Sequence, residues 1–302
     1  MSRIHEALKK AAQERSSQLA TGVAPDLAGL AADIRRPVVP PAVVSEAAVA
    51  DLRAAADLPF LRFEELTRRC AHPTWHFDPR MSVFHGSTVE RMAAEHFRTL
   101  RSRLYQIAGI QPLRRVLVTS SVAGEGKTFV AANLAQSIVR QPERRVLLID
   151  ADLRVPTLHQ ALGAPSTPGL TEFLRGEADE YAVIQKGTEG NLCFIPGGSL
   201  VSNPSELLLS DRMTQLLDLV TPVFDWIILD SPPALPVHDA SMLADRCDGV
   251  VFVVGAGSTD YELAEKAIVE FREKNLLGAV LNRTADRDSY GGYYGYRGKE
   301  KK

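Results

Sequence analysis

The residues best suited to chemistry lie in the segment VLVTSSVAGEGKTFVAANLA (116–135). An apolar run leads there into a loop of small residues, and then into a predicted helix that opens with Lys127 and Thr128. Glycines let such a loop curl tightly, so that its N–H groups can meet an anion at the helix N-terminus. A lysine and a hydroxyl would serve the phosphates and a Mg²⁺ ion. The segment therefore predicts a phosphate-binding P-loop, although Ser121 stands where the usual pattern has glycine.

Three carboxylates follow two other apolar runs. Asp150 and Asp152 end the run LLIDAD, and Asp230 ends the run WIILD. Ligands of an open parallel sheet bind beyond the carboxyl ends of its strands, so we expect these side chains to meet the predicted P-loop. One or two carboxylates, the hydroxyl of Thr128 and phosphate oxygens would suffice to hold Mg²⁺. The chain is therefore predicted to bind a nucleotide together with Mg²⁺.

The elements that must position these residues alternate between two kinds. Apolar runs typical of buried strands occur at 115–119, 145–150, 226–230, 249–254 and 277–282, and helical stretches fall between most of them. Buried strands that alternate with helices indicate a parallel sheet covered on both faces. The predicted fold class is therefore α/β, a P-loop NTPase with a mostly parallel sheet and helices on both faces.

Four regions are predicted along the chain. They are an amphipathic helix at 1–20, a Pro/Ala-rich linker with a poorly defined segment at 21–87, a P-loop domain at 88–284, and a tyrosine-rich tail at 285–302. The P-loop domain is expected to open with a helix at 88–109. The tail is polar and rich in glycine, which predicts flexibility and disorder.

Composition limits the classes of function. The 35 basic and 37 acidic side chains give a formal charge of −2, which argues against nucleic acid as a partner. The sequence has no run of roughly 18 apolar residues, the length that a membrane-spanning helix needs. Three scattered cysteines, Cys70, Cys193 and Cys247, match no metal-ligand pattern. We therefore expect a cytoplasmic protein whose association with a membrane, if any, comes through a partner.

Several motifs together resemble the bacterial tyrosine kinases of capsule and exopolysaccharide synthesis, over about residues 88–296. The matching segments are SSVAGEGKT, LLIDADLRVP, ILDSPP, PGLTEFL (168–174), NPSELL (203–208) and the spaced triplet Glu95, Arg98 and Arg101. One departure is Ala123, where that family usually has proline. The opening MSRIHEALKKA is also similar to family members found with exosortase-type polysaccharide operons.

The resemblance implies a role for each residue of the candidate site. Lys127 would hold the β- and γ-phosphates, Thr128 would ligate Mg²⁺, and Asp152 and Asp230 would orient the metal. Asp150 would accept the proton of the tyrosine, or it would exchange roles with Asp152. The implied ATP-binding residues are Ser121, Val122, Ala123, Gly124, Glu125, Gly126, Lys127, Thr128, Phe129 and Asn282, the last beside the adenine.

The resemblance also implies acceptors and partners. The acceptors would be Tyr290, Tyr293, Tyr294 and Tyr296, four of the seven tyrosines, modified either in cis or in trans. Glu95, Arg98 and Arg101 on helix 88–109 would form the contacts of a homo-oligomeric ring. Further partners would be a separate membrane-embedded polysaccharide co-polymerase that activates the kinase, and a cognate tyrosine phosphatase. The activity would regulate polymerisation and export of the polysaccharide.

Two other classes of function remain open. Positioning ATPases of the Min/Par type carry a signature lysine five residues before the second P-loop lysine, but Val122 occupies that position here. A non-catalytic nucleotide-binding scaffold would use the same motifs as the kinase.

Overall fold

The structure, a computed structural model, describes residues 61–85 and 88–284. The helix predicted at 1–20, the linker up to residue 60 and the tyrosine-rich tail lie outside the described residues. The described residues therefore comprise the P-loop domain and the segment directly before it.

Seven strands form one sheet in the order β3–β4–β2–β5–β1–β6–β7. Every neighbouring pair is parallel except β3 and β4, so the predicted mostly parallel sheet is confirmed. The strands are β1 (Arg115–Ser120), β2 (Arg145–Asp150), β3 (Gln185–Lys186), β4 (Asn191–Ile195), β5 (Trp226–Asp230), β6 (Gly249–Gly255) and β7 (Leu276–Asn282).

Helices cover both faces of the sheet. In the described residues they are α1 (Phe63–Arg69), α2 (Thr88–Ala108), α3 (Lys127–Val139), α4 (Leu158–Leu162), α5 (Leu170–Arg175), α6 (Glu180–Val183), α7 (Pro204–Leu209), α8 (Asp211–Val220), α9 (Asp239–Ala244) and α10 (Tyr261–Val269). Successive strand residues point to opposite faces, so Leu117 and Val118 of β1 enter different core clusters. The sheet is therefore buried on both sides along its central strands.

Residues 61–85 pack against this domain, whose start the sequence analysis placed at residue 88. Leu66 of α1 is fully buried in the core. Further along, the Ser82 hydroxyl donates to Gln136 Oε1 at 2.8 Å, and the Val83 N–H donates to Asn133 Oδ1 at 2.9 Å. The segment lacks a clear period because α1 is only seven residues long and the rest is irregular.

α2 is the longest described helix, with 21 residues, and it packs on α3. Its apolar face, with Ala94, Phe97 and Leu104, is buried in the core, and charged and polar residues occupy most of the rest of its surface. Among the described residues, no helix combines the length and the apolar character needed to cross a bilayer.

Candidate active site

The loop between β1 and α3 has the backbone shape that the sequence predicts. Gly124 and Gly126 have φ angles of 86° and 95°, a region that side-chain-bearing residues rarely adopt. A Cβ atom at Gly126 would also lie 2.1 Å from Asn282 Nδ2. α3 then begins at Lys127, so the positive end of its dipole faces the loop. Glycine is therefore required at position 126 for two independent reasons.

Glu125 ties the loop to the rest of the sheet, a role that the sequence analysis did not predict. Its side chain is 2% exposed and turns into the protein. The carboxylate accepts hydrogen bonds from the Val122 N–H at 2.7 Å, from the Gly255 N–H at 3.3 Å and from the Thr259 hydroxyl. The Glu125 carbonyl accepts from Asn282 Nδ2 at 2.9 Å. Glu125 thus joins the P-loop to the ends of β6 and β7.

Two of the three predicted carboxylates lie against Lys127. Lys127 Nζ donates to Asp152 Oδ2 at 2.9 Å and lies 4.0 Å from Asp230 Oδ1. Burial disfavours the ammonium form, but the charges of Asp230 and Asp152 outweigh burial and raise the pKa of Lys127. The Thr128 hydroxyl lies 3.4 Å from the same nitrogen. The structure therefore brings together Lys127, Thr128, Asp152 and Asp230, as the sequence predicted.

Asp150 lies beneath this group and is fully buried. Its two oxygens accept from the backbone N–H groups of Asp152 at 3.3 Å and of Leu158 at 3.0 Å. Burial, followed by the nearby charge of Asp230, raises the pKa of Asp150 well above its ordinary range. Its side chain holds the turn after β2 and does not line the cavity described below.

Asp230 is 1% exposed, and neither of its carboxylate oxygens has a hydrogen-bond partner among the described residues. Burial raises its pKa from 3.8 to about 6, although Lys127 acts in the opposite direction. Buried polar atoms normally have partners, so these two oxygens leave a place for positive charge in addition to Lys127, although Asp230 itself lies behind the lining of the cavity described below. The donor set of Asp152, Asp230 and Thr128 consists of oxygens, the ligands that Mg²⁺ prefers.

Asp230→Asn is expected to stabilise the nucleotide-free protein at pH 7.5. The folded pKa lies above the unfolded value, so folded protein binds more protons between about pH 4 and 6, and stability falls as the pH rises through that window. Raising the pKa from 3.8 to about 6 costs the folded protein about 3 kcal/mol when the carboxylate is ionised. The amide of asparagine does not ionise, so Asp230→Asn avoids this cost. Urea unfolding in EDTA at pH 4.5 and 7.5 measures the gain in free energy of unfolding.

The control is Asp218→Asn, at an exposed position, which should show no such gain. A wild type more stable than Asp230→Asn at pH 7.5 would contradict the prediction.

A cavity of about 690 Å³ opens above these residues, at the carboxyl ends of the central strands. Lys127, Thr128 and Asp152 line it, as do Asn282 and Arg283 at the end of β7. Of the other predicted ATP-binding residues, Ala123, Gly124, Gly126 and Phe129 line it, whereas Ser121, Val122 and Glu125 do not. The cavity is large enough for a small-molecule ligand.

Arg154 forms a second polar group at the same cavity. Its guanidinium binds Asp239 at 2.8 Å and Ser205 Oγ at 2.8 Å, and Ser205 Oγ donates to Asp239 Oδ1 at 2.6 Å. These residues belong to the segments LLIDADLRVP and NPSELL and to the start of α9. The first two segments are among the motifs that resemble the kinase family, but no role was predicted for Arg154 or Ser205. Their position within those motifs is the only signal in the sequence that points to this network.

The predicted interface triplet is divided between two environments. Glu95 and Arg98 are exposed on α2 and form an ion pair with each other. Arg101 is half-buried, and it donates from Nη1 to the Ser137 carbonyl near the end of α3. Two of the three side chains are therefore accessible, while the third holds α2 against α3.

Comparison with known proteins agrees with this geometry. A family model described as an AAA domain matches residues 114–262. The chain is 38% identical over 205 residues to the tyrosine-protein kinase YwqD of Bacillus subtilis, covering 67% of this chain and 86% of that protein. It is 32% identical over 212 residues to the tyrosine-protein kinase Wzc of Salmonella typhi, covering 68% of this chain but 29% of that longer protein.

A solved structure extends the comparison to three dimensions. The kinase domain of the Escherichia coli tyrosine kinase ETK superposes with a TM-score of 0.61 at 34% identity, covering 68% of this chain and 81% of that domain. That domain, like the relatives above, is named a tyrosine kinase, which confirms the resemblance inferred from the motifs. The chain belongs to the bacterial tyrosine kinase family and is a nucleotide-binding protein-tyrosine kinase.

Proposed function

We propose that the protein is an ATP-dependent autokinase that phosphorylates its own C-terminal tyrosines, Tyr290, Tyr293, Tyr294 and Tyr296. The observation that carries the proposal is the position at which the described chain ends. Asn282 and Arg283, which precede the tail in the sequence, line the same cavity as Lys127 and Asp152, at the rim of the candidate active site. An extended chain advances at most about 3.3–3.6 Å per residue, so the acceptors lie within reach of this site or a neighbour's.

The P-loop residues would bind the triphosphate of ATP. N–H groups around Gly124 and Gly126 and the N-terminus of α3 favour an anion there, and Lys127 adds a positive charge. Thr128 and Asp230 would hold Mg²⁺, with Asp152 beside them, and the unpartnered oxygens of Asp230 support that assignment. When bound, Mg²⁺ supplies positive charge that neutralises the transferred phosphoryl group. The protein's own part is mainly to position the reactants and to complement their charge.

Asp152 is the better placed of the two candidate bases. Asp152 lines the cavity, where its oxygens accept from Lys127 Nζ at 2.9 Å and from the Val155 N–H at 3.1 Å. Asp150 does not line the cavity, and both of its oxygens accept backbone hydrogen bonds below it. A general base must come within hydrogen-bond reach of the hydroxyl that it deprotonates. We therefore assign proton acceptance to Asp152 and positioning of the turn to Asp150.

The same proposal includes assembly and regulation. Glu95 and Arg98, exposed on α2, would contribute to contacts between subunits of a ring, next to the half-buried Arg101. A membrane-embedded polysaccharide co-polymerase would activate the kinase from the inner membrane, and a tyrosine phosphatase would reverse the modification. The reaction would take place in the cytoplasm, where ATP is available, and it would regulate polymerisation and export of exopolysaccharide or capsule.

Intact-mass analysis after incubation with Mg²⁺ and ATP tests the proposal. Wild-type protein should gain up to four phosphates, each mapping to residues 290–296 by peptide sequencing. A variant with the four tail tyrosines changed to phenylalanine should gain none of them, because phenylalanine has no hydroxyl to accept the phosphoryl group. The matched control is Tyr261→Phe, which removes an exposed tyrosine outside the tail.

The proposal fails if wild-type protein stays unmodified even with the cytoplasmic part of the co-polymerase added. ATP hydrolysis without tyrosine modification would instead favour the positioning-ATPase class. Nucleotide binding without hydrolysis or transfer would favour the scaffold.

A further inference from the structure

The segment before α2 forms part of the cavity wall. Arg80 and Met81 line the cavity together with Lys127 and Thr128. They lie outside the residues that the AAA domain model matches, 114–262. Residues 78–83 therefore add a piece to the candidate nucleotide site that the P-loop motifs do not include.

This piece is fixed to the helix that follows the P-loop. Asn133 Nδ2 donates to the Met81 carbonyl at 2.8 Å, and Asn133 Oδ1 accepts from the Val83 N–H. Both Asn133 and Ser82 are buried. Asn133 lies six residues after Lys127, which is about 9 Å along the helix axis. The segment is thus held along the middle of α3, and Arg80 and Met81 reach from there to the cavity at the end where phosphates would bind.

Asp78 orients the Arg80 side chain but binds only part of its N–H donors. Asp78 accepts from Arg80 Nε at 3.2 Å and from Nη2 at 2.8 Å, and it also caps the Arg80 N–H at 2.9 Å. A guanidinium carries five N–H donors, so three remain after this two-point contact. Among the described residues no other acceptor binds them, and the side chain is 89% exposed. Arg80 therefore presents oriented donors at the cavity without a large desolvation cost.

The charge of the site indicates what these donors would bind. Two of the four cationic side chains that line the cavity are already engaged, since Lys127 is shared between Asp152 and Asp230 and Arg154 is paired with Asp239. Arg80 and Arg283 are the other two. A triphosphate entering this site needs further positive charge, and the planar fork of arginine matches phosphate oxygens. We propose that Arg80 contacts the phosphates of ATP bound at the P-loop. The inference rests on the proposed nucleotide function of the same cavity.

Binding of ATP and of adenosine to the full chain tests this assignment without measuring catalysis. Equilibrium titrations in Mg²⁺ compare wild type, Arg80→Ala, Arg80→Lys and the control Arg68→Ala, an exposed arginine of α1 away from the cavity. Arg80→Ala should weaken ATP binding about tenfold, because a hydrogen bond between charged groups is lost. Its affinity for adenosine should stay at the wild-type value. Arg80→Lys should recover part of the loss, and Arg68→Ala should lose nothing.

Two outcomes would overturn the assignment. One is unchanged ATP affinity in Arg80→Ala, and the other is an equal loss for ATP and adenosine, which would place Arg80 against the base. Wild-type protein that binds no ATP would instead overturn the proposed function and the inference with it. Thermal unfolding of each variant checks that the exposed substitution leaves the domain folded.

Discussion

Lys127→Met is expected to lower the rate of autophosphorylation by roughly 100- to 1,000-fold, the usual cost of removing one oriented charge-stabilising group. The ammonium lies between Asp152 and Asp230 at the head of α3, and no other lysine lines the cavity within the described residues. Methionine has similar length but neither charge nor donors. Phosphate incorporated per minute, measured by intact mass with saturating ATP, gives the ratio of rates.

The same substitution also removes the positive partner of two buried carboxylates. Breaking a buried ion pair from one side costs about 3–5 kcal/mol, so loss of folding must be separated from loss of chemistry. Lys127→Arg keeps the charge but not the compact ammonium, so it should recover stability without recovering the rate. Lys266→Met, on the exposed face of α10, is the neutral control. A Lys127→Met protein within tenfold of the wild-type rate would contradict the assigned role.

Glu125→Ala should have the second largest effect, although this side chain points away from the cavity. Alanine leaves the Val122 N–H and the Thr259 hydroxyl without their buried acceptor, while the Gly255 N–H keeps only Thr259 Oγ1 at 3.1 Å. Each unsatisfied group costs about 1–3 kcal/mol. We expect the free energy of unfolding to fall by about 3 kcal/mol and ATP affinity to fall at least about tenfold, because the P-loop is no longer held in its bent form.

Glu125→Gln distinguishes the hydrogen-bond pattern from the volume of the side chain. The amide fills the same space but replaces one accepting oxygen with a donor that faces N–H groups, so the loss should be intermediate. Glu273→Ala, an exposed glutamate after α10, serves as the matched control. Urea unfolding and ATP titration give the two quantities. An Ala variant with wild-type affinity would show that the loop keeps its shape without Glu125.

The sheet could be predicted from the sequence wherever a strand is long and apolar. The five predicted runs correspond to β1, β2, β5, β6 and β7, with ends that differ by at most one residue. β3 has only two residues, too few for a recognisable run. β4 is as long as β5, but it carries one β-branched residue where β5 carries two, so it contrasts less with its flanks. α1 was missed because its seven residues span fewer than two turns.

The sequence predicted those site residues that lie in the P-loop or directly at the end of a recognisable strand. The meeting of Lys127, Asp152 and Asp230 follows from strand ends that share one edge of a parallel sheet. The contacts of Glu125 with Thr259, and of Arg154 with Asp239, join residues far apart in the chain. Such pairs depend on how loops fold over the sheet, and spacing in a single sequence does not encode that.

The hydrogen bond from Asn282 to the Glu125 carbonyl sets a limit on where the chain can be shortened. Within the part of the chain that the structure describes, β7 is an edge strand paired only with β6, and its last residue supports the phosphate loop. A truncation after Thr284 would remove all four candidate acceptors and leave this support in place. A stop codon only three codons earlier would delete Asn282 and thereby weaken the nucleotide site, so a shorter protein would lose activity for a reason unrelated to its missing tyrosines.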